Sequence, residues 1–318
     1  MIEQLSVDEW CEFDREHRAP TFFARPAWAL ALSDVSPTLT PAPFRVRVDK
    51  RTFIVPAVHS RTRAFRQYVA FPLGGYTCVL DDDAQPASAQ EASRVLEWLS
   101  QRIDHFRFVI WPLCPQPRVP GAQLTTYETA VIDCSHGFDA VLSNIRGVTR
   151  RMAGQAERRG VICERSSDLA DVVDYYEILS DASAEWGLPK PPVTYELLLA
   201  VLQRGGADAE LWFATMEGKR IAGGVVLYGA EELFFWSAAM RRDFSRYRPS
   251  NALNLRLLRA ACDRGVRWYN LGASEGLSGV ARFKADLGAE PVVYAEYLSR
   301  RAAFAVYQRM RGVFAGSA

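Results

Sequence analysis

Residues 243–299 hold the side chains in this sequence best placed for chemistry. Asp243-Phe-Ser-Arg-Tyr-Arg-Pro-Ser-Asn-Ala-Leu253 is a basic loop that turns into a helix. Pro249 suits a first helical position, and Gly265 suits the residue just past a helix end. Free N–H groups in a helix's first turn, with the positive end of its dipole, favour an anion. Arg246 and Arg248, with the backbone amides of Ser250 and Asn251, are therefore candidates for holding the phosphates of a donor. A strand over 266–271 follows, then a glycine-broken turn, then Ala281-Arg-Phe-Lys-Ala-Asp-Leu-Gly288, where Lys284 stands alone as a lysine. A phosphate-binding loop with one cation near it fits a site that holds a phosphate-bearing donor and moves an acyl group.

The elements that must position these residues fall into two groups. In the first, periodicity predicts helices over 7–17 and 27–33, a hairpin over 44–49 and 52–59 with its turn at Asp49-Lys-Arg51, and a broken strand over 68–80. A helix over 88–102 and strands over 106–112 and 127–134 complete it. The second group opens near 138 with one amphipathic helix whose apolar stripe is Val141, Leu142, Ile145, Val148 and Met152, and which Gly160 ends. A strand (161–165), two helices (169–186 and 195–204) and a three-strand meander (211–215, 220–228, 233–240) follow. The helix from Pro249, the strand over 266–271, a short helix around Lys284 and a strand over 291–298 close the set. This predicts a mixed α/β (α+β) fold with divisions at 1–135, 136–300 and a terminal helix within 301–318.

The totals exclude several classes. The chain has 318 residues, 49% of them hydrophobic, with 38 basic and 37 acidic side chains, so bulk charge does not point to nucleic acid. The charge is nevertheless local: eight arginines against two acids from Arg241 to Arg267, and six against two from Arg146 to Arg165. Arg150, Arg151, Arg158 and Arg159 would contact a nucleic-acid backbone or an acidic ligand, or else form the wet face of their helix. Six scattered cysteines without a CxxC pair, no cationic leader and no apolar run near the roughly 18–20 residues that span a bilayer predict a cytoplasmic protein. Four dispersed histidines predict no metal site.

Several motifs in sequence order resemble the Gcn5-related N-acetyltransferase (GNAT) superfamily, and within it the two-lobed Fem-type peptidyltransferases. They are Phe23-Ala-Arg-Pro-Ala-Trp28, Phe71-Pro-Leu-Gly-Gly75, Ala156-Glu-Arg-Arg-Gly160, Ile221-Ala-Gly223, Arg248-Pro-Ser-Asn-Ala-Leu253, Leu271-Gly272, Phe283-Lys284 and Leu287-Gly288. The resemblance implies two tandem GNAT-like lobes with mixed sheets flanked by helices, the first on the acceptor side, the second carrying the donor site. It also implies transfer of an acyl or aminoacyl group onto an amine, and a functional Phe283-Lys284 pair in which Lys284 steadies the oxyanion. No bound cofactor is called for. The co-substrate is aminoacyl-tRNA or, alternatively, acyl-CoA, and the acceptor is a peptide, cell-wall precursor or small amine. Two departures stand out. Arg246-Tyr-Arg-Pro-Ser-Asn251 lacks the glycines usual in the acetyltransferase phosphate loop, which favours tRNA, and no coiled-coil arm is present.

Other readings start from single motifs. Gly272-Ala-Ser-Glu-Gly276 matches the nucleophile elbow of serine hydrolases, but all four histidines precede Ser274, whereas that fold places its histidine after the serine. No dinucleotide or Walker loop occurs. Lys284 also has a structural reading, as a surface lysine lying over Phe283 and Leu287. A chain of this kind that binds a charged tRNA or peptide without turning it over is a further reading.

Overall fold

The computed structural model describes residues 2–61, 66–69, 74–103, 105–274 and 276–300. The expected terminal helix within 301–318 and residues 71–73 of the Phe71–Gly75 motif lie outside this set. Contacts divide the chain into two units, Met1–Tyr127 with the chain from Val293 on, and Glu128–Val292.

The first unit contains β1 (Ile2–Gln4), α1 (Val7–His17), α2 (Pro26–Val35), β2 (Leu39–Pro41), β3 (Phe44–Val48), β4 (Arg51–Val55), β5 (Val58–Arg61), β6 (Arg66–Val69), α3 (Ala89–Ser100) and β7 (His105–Val109). From β8 (Gln123–Asp133) the chain passes into the second unit. This holds α4 (Phe138–Asn144), α5 (Gly147–Arg158), β9 (Ile162–Arg165), α6 (Val172–Glu185), α7 (Tyr195–Gly205), β10 (Ala209–Met216), β11 (Lys219–Tyr228), β12 (Glu232–Met240), α8 (Pro249–Asp263), β13 (Trp268–Asn270) and α9 (Ser278–Asp286). β14 (Glu290–Arg300) returns to the first unit, where it pairs antiparallel with β7.

Local chemistry explains many of the boundaries. α1 and α3 each start on a capping box, Ser6 with Glu9 and Ser88 with Glu91, in which serine and glutamate satisfy each other's backbone amide. Replacing Ser88 with alanine should lower stability by about 1 kcal/mol, measured by urea denaturation. Asp49 and Lys50 both take positive φ, which turns β3 into β4. The strand expected over 52–59 is in fact two. β4 stops before Pro56, which has no N–H for a ladder, and β5 joins a different sheet.

The helix expected to run unbroken from 138 to Gly160 is also two. Ile145 is extended (ψ 135°), and Arg146 binds Asp286 through its backbone N–H (3.1 Å to the carbonyl) and its guanidinium (2.6 Å). The buried face of α5 is therefore Thr149, Ala153 and Ala156 rather than Val148 and Met152, and these small side chains let α5 pack on α8. The strand expected over 266–271 is ordered as sheet only at Trp268–Asn270.

In the second unit the strand order is β8-β13-β12-β11-β10-β9, antiparallel except for the parallel pair β12/β13. β10 and β11 are buried almost throughout because helices cover both sheet faces. α8 packs Leu253, Leu257, Leu258 and Ala261 against Trp212, Val226 and Tyr228, while α6 sends Tyr175 to Ser237 (2.6 Å). The rear end of α8 is tied down by Glu210, 5% exposed, whose carboxylate accepts from Arg264 (2.6 Å), Arg165 (2.8 Å) and Trp212 (2.9 Å). This anchor leaves the front of α8 facing the site.

Candidate functional site

β12 and β13 pair for three residues, Glu232↔Trp268, Leu233↔Tyr269 and Phe234↔Asn270, and then part. β12 continues along β11 to Met240, whereas the other chain turns away through Gly272 (φ +73°). The next residues, Phe235 and Leu271, both line a cavity of about 470 Å³. Phe283, Leu253 and Trp236 add apolar wall, and Glu185, Trp186 and Arg242 also border the cavity. Trp236 reaches it through a bulge. Val225 pairs with Ser237 and Val226 with Phe235, so Trp236 is the extra residue and the strand twists more sharply there.

Two adjacent glycines of β11 allow close approaches here, Gly224 to the Phe235 wall and Gly223 to the sheet and helix behind it. A β-carbon at Gly224 would stand 2.5 Å from the Ser237 carbonyl oxygen and would collide with the Phe235 ring. At Gly223 it would stand 2.9 Å from the Trp212 carbonyl and 3.1 Å from the Tyr175 ring.

Lys284 lies in the last turn of α9 and is 6% exposed. Its ammonium donates to the carbonyls of Gly272 and Ala273, each at 2.8 Å, and its side chain lines the cavity. A buried ammonium needs such partners to keep its charge. The stretch that resembles a nucleophile elbow is thus a lysine clamp. Gly272 and Gly276 take positive φ, and the Ser274 carbonyl accepts the Leu277 N–H (2.8 Å).

α8 supplies the polar part of the wall. Ser250 donates to the Met240 sulfur (3.2 Å), and Asn254 donates to the Ser250 carbonyl (2.9 Å). Tyr269 donates to Asn254 Oδ1 (2.9 Å), and burial raises its phenol well above the usual range, so it keeps the proton that it gives.

Of the residues singled out from sequence, the cavity brings together Phe283, Lys284 and Ser250. Asn251 is buried beside it, and its N–H donates to the Arg248 carbonyl (3.1 Å). Arg246 and Arg248 are not among the lining residues. The Arg246 guanidinium binds the Tyr247 hydroxyl (2.9 Å), and Arg248, with φ 59°, is the left-handed residue that starts α8. Arg242, in the 3-10 turn Arg242–Tyr247, lines the cavity instead. Arg150, Arg151, Arg158 and Arg159 are exposed on α5, with Arg159 donating to the Arg246 carbonyl (3.1 Å). Asp286, a nearby carboxylate in sequence, is paired with Arg146 (2.6 Å).

Sequence reasoning missed Trp186, Asn254 and Arg242. Asn254 carries a readable signal, a polar residue within the apolar stripe Leu253, Leu257, Leu258. Trp186 is 54% exposed at the end of α6 and has no such signal. Among the described residues, no group of His, Cys, Asp and Glu could hold a metal ion, and no helix is long and apolar enough to cross a membrane.

The family model for an acetyltransferase (GNAT) domain matches residues 141–285. No curated protein matches the chain by sequence. Solved structures share its fold, three of them as follows. FemX superposes with a TM-score of 0.70 at 11% identity, over 93% of this chain and 96% of that one. The C-terminal domain of a putative lysylphosphatidylglycerol synthetase from Agrobacterium fabrum gives 0.58 at 12% identity, over 97% of each chain. A tandem GNAT protein from the clavulanic acid biosynthesis pathway gives 0.53 at 11%, over 94% of this chain and 97% of that one.

Proposed function

We propose that the acetyltransferase (GNAT) domain at residues 141–285 makes this chain an N-acyltransferase that forms amides, taking an aminoacyl group from charged tRNA and giving it to an amine. The observation that carries the reading is the cavity between the parted strands, with the Lys284 ammonium held at its wall by two carbonyls. A fixed cation in a mostly apolar pocket is the arrangement that stabilises an oxyanion without reorganisation. The acceptor amine attacks the ester carbonyl carbon, and the C–N bond forms as the carbonyl oxygen takes negative charge beside Lys284. The intermediate collapses by breaking the C–O bond to the ribose. The amine's proton goes to the departing ribose oxygen or to water.

Two features favour an aminoacyl ester over acyl-CoA. Pro249 has no N–H, and Asn251 directs its own to Arg248, which weakens the α8 terminus as a pyrophosphate cradle. The arginines of α5 and the 241–248 loop provide exposed positive charge for a polyanion. Acyl-CoA is the second reading, favoured by a cavity that opens between parallel strands and has a largely apolar wall. The acceptor is a peptide, a cell-wall precursor or a small metabolite.

Titration with charged tRNA and with acetyl-CoA separates the two. tRNA binding should saturate and weaken at least about 10-fold between 50 and 200 mM salt, with a shallower slope when Arg158 and Arg159 become Gln. Tight CoA binding without tRNA affinity would overturn the tRNA donor in favour of acyl-CoA.

A further inference from the structure

Asn270 is the last paired residue of β13 and is fully buried, as is Glu232 at the start of β12. Its side-chain amide ties three segments together. Oδ1 accepts the Thr129 hydroxyl (2.7 Å) and the Gly272 N–H (2.9 Å), and Nδ2 donates to Glu232 Oε1 (2.7 Å). The partners define which way the amide points, because a flipped amide would set its NH2 against the Gly272 N–H and its oxygen against a carboxylate. The bond to Gly272 closes a side-chain turn two residues long. That turn sends the chain away from β12 at the place where the cavity opens. It also aims the carbonyls of Gly272 and Ala273 at the Lys284 ammonium.

We infer that Asn270 is a positioning residue for this site, setting the turn that directs Lys284, with Glu232 and Thr129 holding the amide in place. The inference takes the role of Lys284 from the proposed function and adds the element that aims it. A merely structural asparagine would affect stability without affecting the behaviour of one distant lysine. Asn270 instead reaches the Lys284 ammonium through two covalently adjacent carbonyls, so loosening it frees the ammonium.

The test uses the full chain and two readouts. The first is a brief pulse of acetic anhydride followed by peptide mass spectrometry, comparing acetylation of Lys284 with that of the exposed Lys190. The second is the rate of amide formation, separated into kcat and KM. Asn270→Ala should raise relative labelling of Lys284 at least about 10-fold and lower kcat by a similar factor, with KM for the acceptor little changed.

Asn270→Asp keeps an oxygen for Thr129 and Gly272 but sets a carboxylate against Glu232, so it should be impaired. Adding Glu232→Gln restores one carboxylate and one amide with donor and acceptor exchanged. This double variant should return labelling and kcat to within about 3-fold of wild type. If Asn270→Ala fails to fold, the Asp variant with and without Glu232→Gln decides the matter. Unchanged Lys284 labelling in a folded Asn270→Ala protein, or a double variant no better than Asn270→Asp alone, overturns the inference. If labelling rises as expected while Lys284→Ala retains full activity, the catalytic reading of Lys284 fails and the positioning stands.

Discussion

Replacing Lys284 with alanine lowers amide formation by at least about 10²-fold at saturating donor and acceptor, the scale of losing one oxyanion donor. The loss should fall on kcat, because charge on the carbonyl oxygen develops only as the amine attacks. The fold should survive. The Lys284 carbonyl still accepts the Leu287 and Ala289 N–H groups at 3.1 Å, and the Gly272 carbonyl keeps a contact from the Ala130 N–H at 3.3 Å. Lys284→Met separates charge from packing, since it retains most of the stem and none of the donors. It should lose as much activity as alanine with a smaller change in thermal midpoint. Lys284→Arg keeps the charge but presents a planar fork where two carbonyls converge on a point, so it should recover part of the rate at most. Single-turnover assays with mixed charged tRNA and a panel of amines provide the readout. A methionine variant that turns over within about 3-fold of wild type removes Lys284 from the mechanism.

Helix ends were legible in the sequence where one residue's chemistry sets the boundary. Pro249 and Gly265 bracket α8, because a missing N–H or a positive φ acts within a few residues. The break at Ile145 was not legible. Ile145 is 1% exposed and continues the apolar spacing across the kink, so periodicity reads straight through it. What breaks the helix is Asp286, distant in sequence. Phe283 and Lys284 were singled out by resemblance, and the cavity brings them together with Ser250. The arginine on the cavity wall is Arg242 because the turn Arg242–Tyr247 is a 3-10 helix, which rotates Arg246 onto Tyr247 and leaves Arg248 to start α8. The cavity itself depends on where β12 and β13 stop pairing. That depends on Asn270 meeting Glu232 and Thr129, partners 38 and 141 residues away, and no local pattern carries it.

Gly224→Ala should be among the most damaging single-methyl changes in the second unit, lowering stability by about 3 kcal/mol or more and abolishing donor binding. The new β-carbon would sit 2.5 Å from the Ser237 carbonyl oxygen, a backbone atom held by the β11/β12 ladder, and would also strike the Phe235 ring. The carbonyl cannot retreat without undoing the register on either side of the Trp236 bulge. The ring cannot swing without leaving the cavity wall and its stacked contact with Tyr269 (6.5 Å between centroids). Gly154→Ala is the control. There the added carbon meets only the end of an exposed arginine, Arg158 Nη1 at 3.3 Å, and the helix should gain up to about 1 kcal/mol from the better helix former. Urea denaturation of the two variants, with donor titration of each, measures both effects. Gly224→Ala within about 0.5 kcal/mol of wild type would mean that β12 and Phe235 relax freely. A wall that relaxes freely cannot preorganise a donor, so that result would also count against the cavity as the place where the acyl group is held. The expected result, loss of binding together with stability, ties Gly224 of β11 to the site. Glycine weakens a strand interior, and at Gly224 the close approach of Phe235 and the Ser237 carbonyl is the reason that the strand carries one.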